Sequence, residues 1–79
     1  MTREEAFKKI QVIVSEHFDV NEDTVTETMN IKTDLDADSI SIMEFVLELE
    51  DVFDAEISDE DAEKLETIGA AVDYIVANQ

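Results

Sequence analysis

The chain has 79 residues, enough for one domain that buries only about 60% of its unfolded surface, yet 44% are apolar and spread along it, so a core can form. Twenty-two acidic residues against five basic ones give a formal net charge of −17, which disfavours nucleic acid and anionic membrane as partners and favours proteins with basic patches. Cysteine is absent, which excludes disulfides, and no apolar leader or apolar run of about 18 residues occurs, so a cytoplasmic protein without membrane insertion is expected.

Thr2 with Glu5 fits a capping box ahead of Ala6, Phe7, Ile10, Ile13 and Val14, which recur at helical spacing. A first helix is therefore expected from about residue 3 to residue 17. His17, the only histidine, falls in its last turn, where the helix dipole favours a cation. Residues 19–38 follow, rich in Asn, Asp, Thr and Glu but carrying Val20, Val25, Met29, Ile31 and Leu35. A structureless loop of that length is uncommon, so these apolar residues are expected to pin the segment onto the helices.

The next helix is expected over Ser39–Phe53. Taking Ser39 as origin and about 100° per residue, Ile42, Phe45, Val46, Leu49, Val52 and Phe53 make one broad face. Ile40, Met43 and Leu47 gather on roughly the opposite side, with Glu44 and Asp51 along one flank and Glu50 along the other. A small domain buries one face of a helix, so a second apolar stripe edged by carboxylates reads as a docking surface. No basic residue lies between Thr33 and Glu63, which concentrates negative charge on this stretch.

Ser58 with Asp61 can cap a short helix over Asp59–Lys64, too brief to stand without tertiary support. Thr67 then caps a last helix, in which Ile68, Ala71, Val72 and Ile75 repeat at helical spacing. Gly69, the only glycine, sits in its first turn, where its backbone freedom costs least. With no proline, internal repeat or low-complexity linker, the chain reads as a single all-α domain over residues 1–79: a small bundle of three main helices and one short helix.

Few catalytic or metal patterns survive inspection. Asp34, Asp36 and Asp38 alternate like the first ligands of a calcium-binding EF-hand loop, but Ser39 then stands in place of the glycine and Phe45 in place of the bidentate carboxylate. One histidine without cysteine assembles no ordinary zinc site, and serine catalysis would need His17 as its base. Neither a metal nor a catalytic site is expected.

Leu35-Asp36-Ala37-Asp38-Ser39-Ile40, opening an acidic and apolar helix, resembles the Asp-Ser-Leu motif of acyl carrier proteins. The length, the acidity, the long first loop and the closing Ala71-Val72-Asp73-Tyr74-Ile75 resemble that family as well. Asp36 stands where glycine is usual, and Ile40 where leucine is. In the family the serine is esterified by 4'-phosphopantetheine, whose terminal thiol holds an acyl group as a thioester. The resemblance implies that Ser39 is the attachment site, that the protein is a carrier and not an enzyme, and that it serves fatty acid biosynthesis or, alternatively, a specialised polyketide or peptide pathway. It also implies a monomer whose partners are a phosphopantetheinyl transferase and acyl-processing enzymes with basic docking patches. Asp38, Ile40, Met43, Glu44, Leu47, Glu50 and Asp51 are the residues expected to meet them.

The residues by themselves leave two alternatives open. Serine before an apolar helix is also an ordinary N-cap, although Asp38 can fill that role and Ser41 with Glu44 fits a capping box. A small acidic adaptor, or a calcium-responsive binding module, could use the Ile40-Met43-Leu47 stripe with no prosthetic group at all.

Overall fold

The computed structural model describes residues 2–78, so Met1 and Gln79, counted in the expected domain, lie outside the described residues. The helices are α1 (Arg3–Phe18), α2 (Ser39–Phe53), α3 (Asp59–Lys64) and α4 (Ile68–Ala77), with a single 3₁₀ turn at Glu22–Thr24 between the first two. Each α-helix starts where a polar side chain can accept from a first-turn amide that has no partner in the helix. Thr2 accepts from the Glu5 amide, Asp38 from that of Ser41, Ser58 from that of Asp61 and Thr67 from that of Ala70. α1 and α2 stop where Asp19 (φ 55°) and Asp54 (φ 51°) turn left-handed.

The helices bury one stripe each. Ala6, Ile10, Ile13 and Val14 come from α1, Phe45, Val46, Leu49 and Phe53 from α2, and Ile68, Ala71, Val72 and Ile75 from α4. Burial of a Val, Leu, Ile or Phe side chain contributes about 1.5–3 kcal/mol each, so these stripes carry most of the stability. The Phe45 ring lies 5.8 Å from that of Phe18 at the end of α1, which joins the first two helices. Val52 departs from the expected core face and is 43% exposed. It sits about 60° from Leu49 on the helical wheel, beside Glu48, and so at the margin of the buried stripe.

Residues 19–38 are ordered by the pinning their composition suggested. Val25, Ile31 and Leu35 are buried, and Val20 and Met29 pack partly against the core. Backbone pairing with the start of α4 adds a second anchor. The Ile31 amide donates to the Glu66 carbonyl (2.9 Å), that of Ile68 to Met29 (3.0 Å) and that of Gly69 to Glu27 (2.8 Å). Arg3 adds ion pairs to Glu27 and Asp73, which raise its already high pKa. A Cβ on Gly69 would meet the Glu27 carbonyl oxygen at 3.0 Å, a tight contact, so glycine here lets the loop backbone approach α4 closely. The segment therefore reaches α2 from a fixed position.

Candidate functional site

The acidic turn is anchored on both sides of its exposed residue. Leu35 is buried and Ala37 packs against the core, while Asp36 between them faces solvent with φ 50°. That left-handed conformation favours glycine and tolerates Asp better than most residues, so a glycine would fit the turn at this position as well. Asp38 comes next and takes the cap: its Oδ1 accepts from the Ser41 amide at 2.8 Å, and this bond holds its carboxyl below the usual range. Ser41 thereby lies inside the first turn, and the capping box it could have formed with Glu44 does not arise. Glu44 instead turns to His17, with Nε2 and Oε2 3.7 Å apart.

With Asp38 occupied as the cap, Ser39 becomes the first residue of α2. It is exposed, and its hydroxyl makes no hydrogen bond among the described residues. A free hydroxyl at a helix N-terminus suits a phosphoester, because the first-turn amides and the positive end of the helix dipole face the added charge. The residues present thus fit a phosphate-linked group on Ser39.

Apart from Val52, three apolar side chains of α2 stand in solvent: Ile40 is 70% exposed, Leu47 59% and Met43 43%. Glu44 and Asp51 are exposed along one flank of this stripe, and Asp38 and Ser39 are exposed at the start of the helix. Glu50 does not join them. It is half-buried and lines a cleft of about 400 Å³ with Glu56, Ile57, Ser58, Asp61 and Tyr74. In that cleft the Tyr74 hydroxyl donates to Asp61 Oδ2 at 2.8 Å, a shorter approach than the 3.3 Å to the Glu56 carbonyl, so the carboxylate holds the single proton. The bond ties α4 to α3 and raises the Tyr74 pKa above its ordinary value.

A larger open cleft, about 620 Å³, runs from Ser39 between α2 and α3. Ile42 and Met43 border it on one side, Asp59, Ala62, Glu63 and Leu65 on the other, and Lys32 reaches it from within the long loop. It accounts for Ile42, which lies within the core stripe yet is only half-buried. The spacing of residues could not show this cleft, because it exists only once α3 packs beside α2. Lys32, by contrast, had a readable signal, as the lone basic residue between Lys9 and Lys64. The alternating aspartates do not converge as a ligand set: Asp34 turns back to accept from the Asn30 amide at 2.7 Å, and Asp38 caps α2.

Among the described residues no helix is long and apolar enough to cross a membrane. Residues 8–75 match the family described as a phosphopantetheine attachment site. The acyl carrier protein of Lactobacillus johnsonii is 53% identical over 79 residues, which span all of this chain and 99% of that protein. That of Rubrobacter xylanophilus is 46% identical over 79 residues, again all of this chain and 98% of the relative. A solved structure of the acyl carrier protein from Enterococcus faecalis superposes with a TM-score of 0.85 at 68% identity, covering the whole of both chains. The chain therefore belongs to the acyl carrier proteins, non-enzymatic carriers that interact with acyl-processing enzymes through a covalently bound 4'-phosphopantetheine.

Proposed function

We propose that residues 1–79 form one carrier domain, that Ser39 bears the 4'-phosphopantetheine, and that the protein serves fatty acid biosynthesis in the cytoplasm. The observation that carries the attachment site is the division of labour at the start of α2. Asp38 caps the helix and leaves the Ser39 hydroxyl exposed and unbonded. Support for the pathway is that the relatives bear the plain name acyl carrier protein, with no specialised route attached. When bound, the group supplies a thiol on which an acyl chain is held as an electrophilic thioester.

The chain's own residues do the positioning. Leu35 and Ala37 fix the turn to the core, so Ser39 is presented at a constant place. Asp38, Ile40, Met43, Glu44, Leu47 and Asp51 make the face that meets partners, the first being a phosphopantetheinyl transferase. Opposite fields speed the encounter with a basic patch, and the exposed apolar stripe supplies contact area once the surfaces touch. Glu50, set back toward Tyr74, contributes charge from the rim of this face.

Intact mass after incubation with coenzyme A and a transferase, followed by peptide mapping, tests the attachment. One arm per chain on Ser39 is expected. An arm on Ser41 or Ser58, or a loaded Ser39→Ala protein, refutes the assignment. Glu44→Lys and Asp51→Lys should slow loading while leaving the helical signal intact, and unchanged rates would move the interface elsewhere. The acyl group found on protein isolated from its cell decides the pathway.

A further inference from the structure

We propose that Lys32 binds the phosphodiester of the group carried on Ser39 and so turns the arm from open solvent toward the cleft between α2 and α3. The proposal rests on Ser39 being the attachment residue. It follows from a census of the cations. Arg3 is engaged by Glu27 and Asp73, Lys8 lies 3.8 Å from Glu4, and Lys9 stands over the Phe53 ring at 5.9 Å. Lys9, Lys32 and Lys64 have no carboxylate within 4.0 Å among the described residues, and of the five basic residues only Lys32 borders the cleft that Ser39 borders.

A phosphodiester is an anion, and esterification would place it on a protein of net charge −17, with Asp36 and Asp38 beside it in the chain and Asp59 and Glu63 across the cleft. Lys32 is the one basic side chain on that cleft, and its charge adds to what the first-turn amides of α2 supply. Its backbone is held in place. The Asn30 Oδ1 accepts from the Lys32 and Thr33 amides at 2.9 and 3.0 Å, and the neighbouring Ile31 is buried and bonded to Glu66. The ammonium thus swings on a flexible four-carbon stem from a rigid root. A contact of this exposed kind gives roughly a two- to fivefold excess of the paired arm over the free one. Beyond the phosphodiester the arm then meets the apolar lining of Ile42, Met43, Ala62 and Leu65.

The test compares the loaded protein with its Lys32→Ala, Lys32→Arg and Lys64→Ala variants. Intact mass and peptide mapping first establish that each carries one arm on Ser39, and loss of that modification overturns the attachment reading itself. Phosphorus NMR of the loaded proteins then reports on the contact. Lys32→Ala should move the phosphodiester resonance and abolish its dependence on salt, Lys32→Arg should restore both, and Lys64→Ala should match the parent. Because the chain has no cysteine, the arm carries the only thiol. Its alkylation by a small neutral reagent should quicken by up to about three- to sixfold in Lys32→Ala, as the paired fraction is released. A resonance and a rate that Lys32→Ala leaves where Lys64→Ala leaves them, at unchanged helical signal, overturn the contact while sparing Ser39 as the attachment residue.

Discussion

Alanine at position 49 and alanine at position 47 remove the same atoms from the same helix, two residues apart, and should have opposite consequences. Leu49 is fully buried, whereas Leu47 is 59% exposed. Leu49→Ala loses the burial and leaves a cavity, at about 2–5 kcal/mol. A domain of this length has roughly 4–12 kcal/mol in total, at about 0.05–0.15 kcal/mol per residue, so the loss is a large share. At about 4–8 °C per kcal/mol, a cost near 3 kcal/mol lowers Tm by about 12–24 °C. Leu47→Ala should stay within about 0.5 kcal/mol, as should Ile40→Ala, and both should instead weaken partner binding. Met43 also borders the cleft, so its truncation should fall between, at about 1 kcal/mol. Urea melts with a common m-value separate the stabilities, and the rate of arm loading by a transferase reads the docking. If Leu47→Ala destabilises the fold as much as Leu49→Ala, α2 is buried on both sides and the docking face does not exist.

Tyr74 is the only tyrosine, so phenolate absorbance titrates it alone. Its bond to Asp61, and next its desolvation, raise the folded value above 10.0. The stabilisation is therefore complete below that value and lost as pH rises through the folded one. Asp61→Asn should lower the midpoint, and an unmoved midpoint refutes the bond. Asp38 shifts the other way, chiefly through the Ser41 amide, so its cap stabilises above 3.8 and fails as pH falls through the lower folded value. Asp38→Ala should lower Tm at neutral pH, with the difference vanishing in acid. Gly69→Ala gains helix propensity, but its Cβ strikes a backbone carbonyl at 3.0 Å, so a net loss of about 1 kcal/mol is expected and a raised Tm would refute the close approach. Added salt or magnesium should raise Tm by screening a net charge of −17. A flat salt series would show that the acidic surface is not self-repelling.

The helix starts were legible because an N-cap is decided within four residues. Thr2, Ser58 and Thr67 each bond the amide three positions on, whatever the rest of the chain does. The choice between Asp38 and Ser41 at the start of α2 was open in the sequence. The path of the loop settled it, since Leu35 and Ala37 bring Asp38 to the helix end in extended backbone. Periodicity placed Phe45 and Leu49 inside and Ile40 and Leu47 outside, because the centres of two opposed stripes keep their sides in any packing. It could not place Val52 or Glu50, which lie at stripe margins, where burial depends on which neighbour arrives. The cleft beside Ser39, the approach of Glu27 to Gly69 and the place of Lys32 on the cleft all join residues far apart in the chain. Hydrogen bonds within a turn are written in neighbouring residues, whereas burial and clefts belong to surfaces that meet only when the helices pack.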